Sequence, residues 1–183
     1  MKQPLIIDAT LLDAVSAVAR TSPRKRQNRN LHSDDRATCH RLLNAIEPDS
    51  YLPPHRHNDP AKGEGIIVLR GRIGAVFFDD EGGVTGDALL EPGGAVVGID
   101  VPSGTYHTVL ALDPGTVIFE TKAGPYMPLG PDEHAPWAPA EGAPDAAAYL
   151  QTLRNLFSST SRQDEAPFAT FARRNPISPR SRS

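Results

Sequence analysis

The stretch that decides the fold is PHRHNDPAKGEGIIVLRG, residues 54–71, in which His55 and His57 precede Glu64 and an apolar run that stops at Gly71. On a β-strand, residues i and i+2 point to the same face, about 6.6 Å apart along the backbone. The two imidazoles can therefore converge on one ion. Six residues separate His57 from Glu64, which is enough to turn and begin a neighbouring strand with Glu64 beside the histidines.

A third imidazole follows the turn-forming segment Pro102-Ser103-Gly104-Thr105-Tyr106-His107. Three neutral histidines and one carboxylate suit a divalent first-row transition metal and leave positions open for water or substrate. Each element alone has a plainer explanation: a surface histidine pair, a solvated glutamate, or a turn before a strand. Together and in this order, each at a strand boundary, they predict a metal site formed by His55, His57, Glu64 and His107.

The rest of the chain indicates an all-β-dominated fold. Short apolar or alternating runs separated by Gly, Pro, Asp and Asn predict strands over residues 40–46, 51–57, 65–70, 73–78, 89–90, 95–99, 105–112 and 116–122. Eight short strands at close spacing are typical of a closed barrel or a jelly roll. A sandwich without a cavity would give the same spacing, so periodicity alone leaves both architectures open.

Helices are predicted only near the two ends of the chain. Residues 5–7 are expected to form a short strand, followed by a helix that begins at Asp8 or Thr10 and ends near Arg20. A second short helix is predicted over residues 146–157. The predicted organisation is an N-terminal strand and helix in residues 1–23, a barrel domain in residues 24–157, and a flexible Ser/Arg/Pro-rich tail in residues 158–183.

Composition excludes several classes of protein. The 183 residues contain a single cysteine, Cys39, so neither an intrachain disulfide nor a cysteine metal cluster can form. The sequence predicts no signal peptide and no membrane span, which makes the cytoplasm the default location. The net charge is −3, and a basic cluster over residues 20–29 is interpreted as a solvated segment because no nucleic-acid recognition motif accompanies it.

Further polar residues are candidates for the same site. Glu120 and Lys122 share one face of the last predicted strand; facing inward they would serve proton transfer, and facing outward they would form an exposed pair of little energetic value. Arg41, Asn30 and His32 are candidate substrate-binding residues, Arg41 because guanidinium matches carboxylate or phosphate. His40 and His134 are interpreted as structural.

These motifs resemble the two conserved motifs of the cupin superfamily, with His55, His57, Glu64 and Gly71 in the first and Pro102, Gly104 and His107 in the second. The chain resembles the bacterial WbuC-type cupin-fold metalloproteins more closely. The gap between His57 and Glu64 is longer than in the common motif. The matching stretches are residues 24–32, 43–45, 54–57, 68–71, 102–108, 119–122, 124–126 and 135–139.

The resemblance implies a cupin double-stranded β-helix, a homodimer, one divalent metal (iron, zinc, nickel or manganese) and a link to bacterial surface-polysaccharide synthesis. The leading hypothesis is therefore a metal-dependent enzyme acting on a small, polar, sugar-like substrate. A non-catalytic module that binds a metal and a small ligand is the alternative from another class. A metal-free sugar isomerase with a His/Glu acid–base pair is a third, and neither a membrane nor a nucleic-acid partner is expected.

Overall fold

Two antiparallel sheets form the body of the protein in this computed structural model, which describes residues 3–158. One sheet has five strands in the order β1-β2-β8-β3-β6, and the other has three in the order β5-β4-β7. The elements are α1 (Ala9–Thr21), β1 (Arg26–Asn30), β2 (Cys39–Ile46), β3 (Glu64–Arg70), β4 (Ile73–Phe78), β5 (Val84–Leu90), β6 (Gly98–Val101), β7 (Tyr106–Ala111), β8 (Thr116–Ala123) and α2 (Ala146–Asn155).

The core lies between the two sheets, because alternate residues of their strands point toward one another. Ile46, Ile66, Ile118, Ile73 and Val109, from both sheets, belong to one buried cluster. This two-sheet antiparallel arrangement confirms the predicted all-β jelly-roll fold class with one helix near each end of the chain.

Each sheet also carries a helix on its outer face. Val15 and Ala19 of α1 pack against Leu43 of β2, and the Asp8 carboxylate begins α1 by accepting a hydrogen bond from the Leu11 amide at 2.9 Å. On the other sheet, α2 covers Leu110 and its neighbours. Strands β4 and β7 are consequently buried along their whole length.

Several predicted boundaries differ from the structure. Residues 3–8 lie in no helix or strand, so the strand expected over residues 5–7 is absent. Residues 51–57 form only isolated bridges at His55 instead of a strand, because Pro53 and Pro54 have no amide hydrogen to contribute to a ladder. The basic segment over residues 20–29, expected to be solvated, overlaps β1, which pairs with β2. The predicted tail lies outside the described residues except for Ser158.

No helix within residues 3–158 is long and apolar enough to span a membrane.

Candidate metal centre

Backbone pairing brings the first and third histidines together. The His55 amide donates to the His107 carbonyl at 3.0 Å, and the His107 amide donates to the His55 carbonyl at 2.9 Å. His107 lies on β7 of the three-stranded sheet, whereas Glu64 begins β3 of the five-stranded sheet. The histidines and the carboxylate therefore meet where the two sheets face one another.

The side chains of His55, His57, Glu64 and His107, called here the His/Glu cluster, lie beside one another around the Glu64 carboxylate. Candidate ligand atoms of His55, His57 and Glu64 all lie within 4.8 Å of one another. His57 Nε2 is 2.7 Å from Glu64 Oε1, and His107 Nε2 is 3.3 Å from Glu64 Oε2. The Glu64 side chain is only 5% exposed, so this carboxylate is the centre of the cluster.

Hydrogen bonds to the backbone fix the orientation of two of the rings. His55 Nδ1 lies 3.1 Å from the Pro53 carbonyl, and His107 Nδ1 lies 2.9 Å from the Thr105 carbonyl. A carbonyl oxygen only accepts hydrogen bonds, so each Nδ1 carries a proton. Burial, and then the neighbouring His107, lower the pKa of His55 to about 4, which keeps that ring neutral at pH 7.

The chemistry of the donor atoms tests whether the cluster suits a cation. Imidazole nitrogens of His55 and His57 lie beside the buried Glu64 carboxylate, and His107 Nε2 lies 3.3 Å from its second oxygen. The donor set, nitrogen and oxygen only, suits zinc, iron, nickel or manganese. The residues present therefore fit a divalent metal.

Glu64 stays ionised because its partners outweigh its burial. Burial alone would raise its pKa, but hydrogen bonds from His107 and His57 and the charge of Lys122 hold the pKa far below the ordinary range. Lys122 Nζ donates to Glu64 Oε1 at 2.9 Å. Burial opposes the charge of Lys122 as well, yet Glu120 and Glu64 together raise its pKa above its usual value.

The cluster continues into a row of polar side chains across the five-stranded sheet. Lys122 Nζ lies 3.1 Å from Glu120 Oε1, and Asn44 Nδ2 donates to Glu120 Oε2 at 3.0 Å. We call Glu64, Lys122, Glu120 and Asn44 the polar row. The inward alternative for Glu120 and Lys122 is therefore the one found. Sequence reasoning missed Asn44, since only the pairing of β2 with β8 places it there.

The polar row and the cluster line a cavity of about 860 Å³ between the sheets. The segment after β8 forms part of its wall through His134 and Ala135. Arg24 and Arg26 also line the cavity, where each forms an ion pair with Glu141 at 2.8 Å. His134, interpreted from the sequence as structural, is a cavity residue that forms a backbone bridge with His55. No sequence signal had identified it.

The three predicted substrate-binding residues do not line this cavity. Arg41 alternates with Leu42 along β2 and is exposed, because it shares the outward face with Leu43, which contacts α1. Asn30 is exposed at the end of β1. The His32 ring stacks on His40 with centroids 4.1 Å apart, beside a smaller depression that Arg41 also lines. The structure therefore places all three outside the cavity that the His/Glu cluster lines.

One known protein family and several solved structures are similar to this chain. A family model described as a domain of unknown function (DUF6016) matches residues 7–90, slightly less than half of the chain. No curated protein matches. KdgF from Halomonas sp. is a similar solved structure, at 15% identity over 58% of this chain and 84% of that chain, with a TM-score of 0.45.

Two further similar structures come from other organisms. A variant of the oxalate decarboxylase OxdC from Bacillus subtilis is 17% identical over 55% of this chain and 26% of that chain, with a TM-score of 0.43. The Cnp3 cupin domain of Schizosaccharomyces pombe is 12% identical over 54% of this chain and 64% of that chain, with a TM-score of 0.42. Identities this low concern the fold alone, and the fold class rests on the two sheets of this chain.

Proposed function

We propose that this protein is a cupin metalloprotein that holds one divalent metal through His55, His57, Glu64 and His107. The observation that carries the proposal is the grouping of His55, His57 and Glu64, whose candidate ligand atoms lie within 4.8 Å of one another, with His107 Nε2 3.3 Å from the same carboxylate. The carbonyls of Pro53 and Thr105 hold the two rings in the orientation that binding requires.

The test is elemental analysis of protein purified without a histidine tag. We expect about one equivalent of metal in the parent protein and a large loss in His55→Ala and in His107→Ala, since each removes one ligand. His134→Ala is the matched control, because His134 lines the same cavity but lies outside the ligand set, and it should keep its metal. Equal metal content in all four proteins would contradict the ligand assignment.

The second part of the proposal is that the site is catalytic and acts on a small, polar, sugar-like molecule. The cavity, at about 860 Å³, has the size of a small-molecule site, and the polar row opens into it. When bound, the metal would act as a Lewis acid and orient the substrate. Glu120 and Lys122 would bind polar groups of the substrate and move a proton, because both combine an ionisable group with a place in the cavity wall.

The WbuC-type resemblance is the reason to place this activity in the synthesis of bacterial surface polysaccharides, in a cytoplasmic homodimer. Turnover of sugars and nucleotide sugars by the metal-loaded protein tests the substrate class. Glu120→Gln should lower kcat while metal content stays at one equivalent. A variant that turns over normally would remove Glu120 from the mechanism.

A non-catalytic binding module is the alternative that part of the cavity favours. Leu52, Ile66, Val109 and Leu129 contribute an apolar surface to the same wall, which suits capture of a ligand without chemistry. Such a module would bind metal and ligand and show no turnover with any sugar.

A metal-free isomerase is the third possibility, and the 2.7 Å contact between His57 and Glu64 is the pair that it would use. It predicts full activity after chelation, whereas the leading proposal predicts complete loss.

A further inference from the structure

The ionisable side chains that line the cavity balance in number. Apart from the histidines, three are cations and three are carboxylates. The six are Arg24, Arg26, Lys122, Glu64, Glu120 and Glu141. These six side chains therefore bring no net charge to the cavity.

A divalent metal in the His/Glu cluster would change that balance. Glu64 is a ligand in the proposed site and also the carboxylate that accepts the 2.9 Å hydrogen bond of Lys122. The two positive groups would then share one negative charge, and the cavity would hold an excess of about two positive charges. An uncompensated charge in a partly enclosed cavity is unfavourable, so an anionic ligand is the natural complement.

Among the three cations, Lys122 is the one that contacts the His/Glu cluster, whereas both arginines are paired with Glu141. Arg26 is 10% exposed, and its two terminal nitrogens bond to Ser50, Tyr51 and Glu141. Arg24 donates from two nitrogens to Glu141. Lys122 has three N–H donors, of which Glu64 and Glu120 take two.

The third donor of Lys122 is in a position to serve a ligand. The side chain lines the cavity and is 23% exposed. It is also hydrogen bonded to the carboxylate of the metal centre. A ligand that enters the cavity can therefore reach the ammonium and the metal centre together.

We propose that the cavity binds a small organic anion whose oxyanion group, a carboxylate or a phosphate, is held jointly by the Lys122 ammonium and the metal. This inference rests on the metal site proposed above and narrows its substrate class from polar to anionic. It makes Lys122 a determinant of ligand specificity. Uncharged sugars of the same size would bind much more weakly, because they leave the excess charge uncompensated.

Calorimetric titration tests the proposal without requiring turnover. Protein loaded to one equivalent of zinc is titrated with malonate, with inorganic phosphate and with the uncharged isostere malonamide, and the metal-free protein is titrated in parallel. We expect at least one of the two anions to bind the zinc-loaded protein. Malonamide should bind at least tenfold more weakly, and the metal-free protein should bind neither anion measurably. The malonate and phosphate arms distinguish the two oxyanion groups.

Variants then separate the contribution of Lys122 from that of the metal. Lys122→Met should weaken anion binding at least tenfold at unchanged zinc content, and Lys122→Arg should restore most of it. Lys62→Met is the matched control, since Lys62 lies outside the cavity wall, and it should bind as the parent does. If Lys122→Met does not fold, the double variant Glu120→Gln with Lys122→Met removes both members of the ion pair and should show the same loss.

The outcomes distinguish this inference from the proposed function. Failure to take up zinc overturns the metal site and, with it, the inference. Zinc uptake at one equivalent without binding of either anion overturns the inference alone. Equal anion affinity in the parent and in Lys122→Met, at equal zinc content, also overturns it, because the metal would then act without the lysine.

Discussion

Replacing Glu64 with glutamine tests the central contacts of the site in the metal-free protein. The change keeps the shape of the side chain and removes one negative charge from a group that is 5% exposed. That charge meets Nε2 of His57 at 2.7 Å and the Lys122 ammonium at 2.9 Å. A hydrogen bond to a charged group contributes about 1.5–3 kcal/mol. The glutamine carbonyl still accepts one bond, and Lys122 keeps Glu120.

We therefore expect Glu64→Gln to lower the free energy of unfolding by about 2–3 kcal/mol at pH 7. For a chain of this length, a loss of that size lowers Tm by about 4–12 °C. The assay is urea unfolding monitored by circular dichroism with a chelator present, and the urea dependence (m) should not change. Glu81→Gln is the control, since Glu81 is exposed in the turn between β4 and β5.

A loss below about 0.5 kcal/mol, the range of ordinary surface substitutions, would refute this reasoning, because it would mean that water replaces the contacts of Glu64 at no cost. The same measurement with zinc in place of the chelator should widen the gap. The parent gains about 2.7 kcal/mol at a zinc concentration one hundred times its Kd, and a variant that lacks one ligand gains less.

Three further predictions concern parts of the fold away from the cluster. Gly71→Ala should cost at least about 2 kcal/mol in urea unfolding, because φ at Gly71 is +73° and the new methyl group would collide with Thr116; an unchanged stability would contradict that geometry. Leu110→Ala, beneath α2 and 1% exposed, should cost about 2–5 kcal/mol, and a cost under 1 kcal/mol would show that α2 does not cover this position. Arg24, by hydrogen bonding, lowers the pKa of Glu141 to about 2 from its ordinary 4.5, so this ion pair should stabilise the fold above pH 4.5 and lose its effect as the pH falls toward 2. With Glu141 35% exposed, screening reduces the contribution to roughly 1 kcal/mol; the unfolding free energies of the parent and Glu141→Gln should differ by that amount at pH 7 and converge below the folded-state pKa of about 2, and a gap independent of pH would count against the pairing.

The strands that were predicted accurately from the sequence are those with at least one buried face. The run from Ile73 to Phe78 is apolar and bounded by turn residues, and it forms β4 with the same limits. Strand β1, with the sequence RQNRN, has no apolar pattern, because an edge strand that is mostly exposed needs none. It exists through pairing with β2, and pairing partners are not visible in a local sequence pattern. β5 was predicted only at Leu89 and Leu90 for the same reason.

The residues of the candidate site also differ in whether a local sequence pattern could predict them. His55, His57 and Glu64 are close together in the sequence, whereas His107 reaches them through its backbone pairing with His55. Glu64 follows a longer gap than the common motif, yet it has the most contacts in the cluster, since its place is set by the start of β3 and not by the length of the turn. Asn44 and His134 come from segments far away in the sequence, so only the folded chain brings them to the cavity. Arg41, predicted to bind substrate, lies on the outward face of its strand, which the local sequence pattern did not indicate.

Trp137 gives the protein an intrinsic optical reporter. It is the single tryptophan of the chain, and its ring packs on Phe78 with centroids 4.8 Å apart. Its indole nitrogen is buried without a hydrogen-bond partner, an environment in which indole emits at short wavelength. The neighbouring Ala135 and Ala138 belong to the cavity wall. The emission maximum therefore reports on the segment around Trp137 alone. A shift to longer wavelength on adding a ligand or a chelator would show that this segment moves away from the sheets.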